Sequence, residues 1–88
     1  MVETNELYIA DFDGDKNVCE ILYDNKHKMD PDVDPFLGFV YYGDVFIVVE
    51  IDEQTRNKTF KKIKVLTSRG LCGWCYYDYL FANKRFLD

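Results

Sequence analysis

No stretch of eleven residues in this chain carries the apolar period of an amphipathic helix, whereas short apolar runs punctuated by turn residues recur along its length. That pattern restricts the chain to strands. The strongest run is Val45 to Ile51, Val-Phe-Ile-Val-Val-Glu-Ile, apolar at both alternating sets, which predicts a strand at least partly covered on both faces. Weaker runs occupy Glu6–Phe12, Val18–Tyr23, Phe36–Tyr42, Phe60–Thr67, Leu71–Cys75 and Leu80–Leu87. In Phe60–Thr67 the alternation points Ile63 and Val65 inward and Lys62 and Lys64 to water. Turns fall at Asp11–Asp15 around Gly14, at Gly43-Asp44, along the polar stretch Asp52–Thr59, and at Ser68-Arg69-Gly70. Tyr76–Tyr79 is too short for an α-helix and suits one 3-10 turn. The reading is all-β: a small barrel of five to six short strands with a 3-10 turn near residues 76–79.

Eighty-eight residues make one domain, with a polar terminus at 1–6 and an acidic loop at 24–35. A domain of this size has little core to spare, and its aromatic content of 17% supplies large buried area per residue. No apolar run approaches the roughly 20 residues of a membrane helix, and residues 1–13 lack the basic and apolar regions of a secretory signal. Three cysteines, an odd number, cannot complete an internal disulfide framework. These features place the chain in the reducing cytoplasm, away from membranes. Phe, Tyr, Asn, Lys and Ile are abundant and Gly, Ala, Arg and Pro scarce, the bias that AT-rich coding DNA gives, as in some phages and low-GC bacteria.

The net charge of −5 conceals a polarised chain. Residues 1–53 hold 14 acidic and 3 basic side chains, and residues 54–88 hold 2 acidic and 8 basic, so the halves can attract each other or present distinct patches.

Cys72-Gly-Trp-Cys75 with Cys19 and His27 has the composition of a Cys₃His zinc site, but an extended 72–75 segment would point its two thiols to opposite faces. Asp11, Asp13 and Asp15 resemble the start of a calcium loop, yet Lys16 stands where that loop needs glycine and Leu22 where it needs a bidentate glutamate. The expectation is therefore no metal and no cofactor. His27, the single histidine, has no nucleophile paired with it in sequence, and no glycine-rich phosphate loop follows a strand, so a non-enzymatic protein is expected.

The run Gly70-Leu-Cys-Gly73-Trp74-Cys75-Tyr-Tyr-Asp-Tyr79-Leu80 resembles the distal hairpin strand and 3-10 turn of SH3 domains, and its Gly-Trp pair is closer to the bacterial branch. Upstream, Val40-Tyr-Tyr-Gly43-Asp44-Val45-Phe-Ile-Val48 resembles the segment that follows the RT loop of that family, and Asp52–Thr59 falls where its n-Src loop lies. The likeness covers residues 36–80. It departs from the eukaryotic pattern at two places: near Phe60, where those domains carry Trp, and at Tyr76, where they carry Pro.

The resemblance implies an SH3-like barrel acting as a protein-interaction module. Tyr8, Trp74, Tyr76 and Tyr79 would line a groove beside Asp11, Asp13 and Asp15, suited to a basic peptide segment of a partner protein. A small accessory protein of a phage or bacterium that modulates a host protein fits this reading. The alternative partner is nucleic acid, held by a stripe of Arg56, Lys58, Lys61, Lys62, Lys64 and Arg69. A third possibility is that the acidic half imitates a phosphate backbone and inhibits a DNA-binding protein.

Overall fold

The computed structural model describes residues 2–78 and 81–83. Seven strands appear among them, with two single turns of 3-10 helix. In chain order these are β1 (Leu7–Ala10), a turn at Phe12–Gly14, β2 (Cys19–Leu22), β3 (Gly38–Tyr41), β4 (Val45–Ile51), a turn at Glu53–Thr55, β5 (Lys61–Thr67), β6 (Cys72–Tyr77) and β7 (Ala82–Asn83). They form two antiparallel sheets, one ordered β6-β5-β4-β1-β7 and the other β2-β3. The sheets meet where Tyr23, just past β2, and Trp74 in β6 exchange backbone hydrogen bonds of 2.7 Å each. No helix among the described residues is long and apolar enough to cross a membrane.

Alternation along the strands builds the core. Tyr8 and Ala10 of β1, Phe46 and Val48 of β4, Ile63 and Val65 of β5 and Cys75 of β6 face inward, joined by Leu22 and Val40 from the smaller sheet. The inward Ile63 and Val65 follow the sequence expectation. β4 has a further device: its register shifts between Val48 and Glu50, so Ile51 rather than Glu50 returns to the core. Its outer face is only half covered, with Val45 and Ile47 partly buried and Val49 exposed.

Gly73 lets the second sheet cross β6. A Cβ there would lie 3.0 Å from the Tyr23 carbonyl oxygen and 3.3 Å from Leu22 Cβ. Only a bare backbone admits β2 at that distance.

One sequence expectation is corrected. Tyr76 and Tyr77 do not begin a 3-10 turn; they extend β6, opposite Lys62 and Lys61 of β5. β5 runs on to Lys61 and pairs with both residues, so the ladder continues where local composition favoured a turn. Tyr79, and with it the end of the expected turn, lies outside the described residues. The acidic 24–35 segment carries one buried residue, Met29. Met29 tucks against Tyr23 and Trp74 in a second small cluster on the far side of β6.

Candidate functional site

A cleft of about 540 Å³ opens where the Phe12–Gly14 turn, β2, the end of β6 and the residue preceding β5 converge. Phe12, Phe60, Tyr76 and Phe81 supply rings, Val18 an aliphatic wall, and Asp13, Asp15, Glu20 and Asp78 carboxyl groups. None of its described lining residues is basic.

Each wall is fixed for a local reason. The turn after β1 passes through positive φ at three successive residues, Phe12 (44°), Asp13 (56°) and Gly14 (85°). Such backbone is strained for a bulky residue like Phe12 and persists only where its surroundings impose it. Here the Asp11 and Phe12 N–H groups both donate to the Phe81 carbonyl, at 3.0 and 3.1 Å, and the Phe12 and Phe81 rings pack 5.3 Å apart. The Gly14 N–H closes the turn on the Asp11 carbonyl, and the Asp15 side chain accepts the Asn17 N–H at 3.0 Å. This clamp buries Phe12 while leaving Asp13 and Asp15 exposed.

On the opposite wall Glu20 belongs to β2, opposite Val40 of β3. It shares a face with Leu22, so its carboxyl group is directed toward the interior rim rather than to open water. Burial, followed by the nearby Asp78 carboxylate, pushes its pKa up to about 7; hydrogen bonds from the Tyr76 and Ile21 N–H groups oppose the rise only in part. The buried Cys75 thiol is pushed up as well, by its own burial and then by Glu20.

The expected groove is thus partly present and differently walled. Asp13, Asp15 and Tyr76 line the cleft; Asp11 serves the turn beneath it, accepting the Asp13 N–H at 3.4 Å. Tyr8 does not line it. It is 2% exposed, stacked on Phe46 at 5.7 Å, and its hydroxyl accepts the Glu3 N–H at 2.9 Å. The β1 alternation directs Tyr8 and Ala10 inward together, so a ring expected at the surface belongs to the core.

Trp74 is also buried, at 7% exposure, on the face of β6 that the 24–30 segment covers. Lys26 closes that cover, its ammonium 5.3 Å from the indole centroid and 3.2 Å from the Asp52 carboxylate. Burial by itself would raise the Asp52 pKa, but the Lys26 hydrogen bond and charge outweigh it and hold the carboxyl below its ordinary value.

Sequence reasoning missed Glu20, Phe60, Asp78 and the Phe12–Phe81 pair as parts of the cleft. Phe60 was legible: a large exposed ring (60%) at the end of a polar loop, at the place where the SH3 pattern carries an aromatic. Glu20 was legible as the one acidic residue inside a β2 run otherwise apolar.

The six basic residues do not form one stripe. Arg56 is paired with Glu53 through two hydrogen bonds, and Arg69 with Asp44 at 3.0 Å while lying 5.1 Å from the Tyr41 ring centroid. Lys62 donates to the Lys26 carbonyl at 2.7 Å and Lys61 to the Lys58 carbonyl at 2.7 Å. Lys62 and Lys64 share the face of β5 opposite Ile63 and Val65, whereas Lys61 borders a separate cleft with Val2, Ile51, Arg56 and Asn57. Within the acidic loop, Asp30 and Asp34 accept hydrogen bonds from the Asp32 and Asp30 N–H groups, at 2.9 Å each, and so stabilise its own turns. Cys72 is exposed and Cys75 buried, so the two thiols face opposite sides of β6.

No known protein family matches the chain, and neither a curated protein nor a solved structure shows significant similarity to it.

Proposed function

We propose that the chain is a non-enzymatic, SH3-like interaction module that binds a basic segment of a partner protein in the ring-and-carboxyl cleft. One observation carries this reading: four rings and four carboxyl groups converge on one cleft, and none of its described lining residues is basic. Rings give rigid contact area and attract cations through their faces, while carboxylates reward an arriving positive charge and steer its approach. The exposed Phe60 ring provides a contact point at the mouth.

The position of the cleft supports the SH3-like reading, because it lies between the segment after β1 and the residue that precedes β5, where that family places its peptide groove. The composition of the chain is in keeping with a small phage or bacterial accessory protein that acts on a host protein.

The test is titration of short basic and acidic peptides of equal length into the native protein, the Phe60→Ala variant and the Asp13→Lys/Asp15→Lys variant. The substituted residues are exposed, so folding is preserved. Binding of the basic peptide alone, weakened at least about tenfold by charge reversal, is the expected result. Equal affinity of all three proteins for the basic peptide refutes the assignment.

A further inference from the structure

Part of the basic set around the loop after β4 borders a second cleft, of about 410 Å³. Val2, Ile51, Arg56, Asn57 and Lys61 are among the residues that line it. Val2 and Ile51 belong to the main core, at 3% and 5% exposure, and give the cleft an apolar floor. Arg56 and Asn57 are exposed at the rim, and Lys61 is half-buried.

Both walls are held from below. The Thr55 hydroxyl donates to the Asp52 carbonyl at 3.1 Å and accepts the Lys62 N–H at 2.8 Å, which ties the loop to the start of β5. The Thr55 and Lys58 N–H groups donate to the Asp52 and Thr55 carbonyls, at 3.0 and 2.9 Å, and so fix the backbone on either side of Arg56 and Asn57. On the opposite wall the Glu3 N–H donates to the Tyr8 hydroxyl at 2.9 Å and the Asn5 N–H to the Val48 carbonyl at 2.7 Å, which seats Val2 in the core.

The cations at the rim are positioned as well. Glu53 accepts from Arg56 Nε at 2.9 Å and from a terminal nitrogen at 2.7 Å, which engages two of the five guanidinium N–H groups. Lys61 commits one of its three ammonium N–H groups to the Lys58 carbonyl, at 2.7 Å. Each cation is thereby oriented and keeps donors to offer. The Arg56–Glu53 pair is exposed and contributes little stability by itself, so sharing Arg56 with a second anion costs little.

We propose that this second cleft binds the C-terminal carboxylate of a peptide whose last side chain is apolar. Arg56 and Lys61 take the carboxylate, and the last side chain lies on Val2 and Ile51. The Asn57 amide, donor and acceptor at once, meets the last peptide group. A planar guanidinium matches the two oxygens of a carboxylate. Arg56, Lys61 and Glu53 together carry one net positive charge, which suits a monoanion better than a dianionic phosphate. The inference is independent of the basic-peptide reading, since it uses another cleft and a ligand of opposite charge.

The test is an NMR titration of the isotope-labelled native protein with acetyl-Gly-Gly-Leu, as the free acid and as the amide. Its only charge is the terminal carboxylate, so the ring-and-carboxyl cleft does not attract it. The free acid is expected to shift the Ile51, Asn57 and Lys61 amide signals and to bind at least about tenfold more tightly than the amide. Acetyl-Gly-Gly-Gly acid, which lacks the apolar side chain, binds about tenfold more weakly than the leucine peptide. Arg56→Gln and Lys61→Gln each weaken the free acid at least about fivefold, and added salt weakens it further. The comparison of acid with amide on the native protein decides without the variants.

Equal affinity for acid and amide overturns the proposal, as does absence of binding by the acid. Shifts confined to residues away from this cleft overturn the site. Tighter binding of phenyl phosphate than of the free acid overturns the choice of carboxylate. Each of these results leaves the basic-peptide reading standing, because that reading is tested at Asp13, Asp15 and Phe60.

Discussion

Replacing Trp74 by Ala is expected to loosen the fold rather than to strip a binding surface. Trp74 is 7% exposed, packs with Tyr23 and Met29, and lies under the Lys26 ammonium at 5.3 Å. Truncating a buried Trp costs about 3–5 kcal/mol. The cluster is a satellite of the main core, capped by a segment able to settle into the space, so the lower end applies: about 3 kcal/mol, with about 0.5 more from the lost cation–ring contact. A domain of this length is stable by about 4–13 kcal/mol, so the loss is a large share of the total. With a urea slope of about 1 kcal/mol/M, the unfolding midpoint falls by about 3.5 M. Circular dichroism is the suitable probe, because the substitution removes the only tryptophan. Hydrogen exchange reports the same event locally: the Tyr23 N–H, which donates to the Trp74 carbonyl at 2.7 Å, loses protection along with residues 24–30. Trp74→Phe retains a ring and costs about 1–2 kcal/mol. A loss below about 1 kcal/mol for the alanine variant, with Tyr23 still protected, refutes the second cluster as a structural element.

Stability should fall as pH rises from about 4.5 to 7, because Glu20 binds its proton more tightly in the folded chain than in the unfolded one. After allowance for partial solvent screening the effect is about 2 kcal/mol, and Glu20→Gln, measured by urea unfolding at pH 5 and pH 8, removes the slope. Gly73→Ala forces the Tyr23 carbonyl away from β6 and is expected to cost about 2–3 kcal/mol, seen as a lowered thermal midpoint and faster exchange of the Trp74 N–H. Asp44→Ala frees the Tyr41 N–H, held at 2.8 Å, and the Arg69 guanidinium, and is expected to cost about 1–2 kcal/mol in the same measurement.

Strand existence was legible because a sheet reports itself locally. β4 lies at Val45–Ile51 as the run predicts, and β5 and β6 fall within two residues of their predicted bounds. Which face of a strand is solvated was less legible, because it depends on what crosses over it. Trp74 shares its face with Lys62 and Lys64 by alternation, and only the return of residues 24–30 covers it. Tyr8 read as a surface ring because its run is mostly aromatic and aliphatic on both sets; the pairing of β1 with β4 decides that Tyr8 stacks on Phe46 while Leu7 is exposed. The cleft draws on residues between 12 and 81, so no local window could have assembled it, although Asp13, Asp15 and Tyr76 were identified from the sequence alone.

The charge polarity of the chain explains why the acidic groups concentrate where they do. Three basic residues of the second half are tied into the structure: Arg69 holds Asp44, Lys62 holds the Lys26 carbonyl, and Arg56 holds its neighbour Glu53. Lys26, one of the few basic residues of the first half, is held by Asp52 beneath the loop it caps. These pairings fall at the Gly43-Asp44 turn, the loop after β4 and the 24–30 cover, on walls other than the cleft. Among the described residues, the cleft's own lining gathers acidic side chains and rings. Carboxyl groups brought close together and partly out of water destabilise a folded state when both are ionised, and a proton on Glu20 relieves that cost. Replacing Glu20 by Gln should accordingly raise stability above pH 7 while lowering affinity for basic peptides. A structural ion-pair site would lose stability under the same substitution.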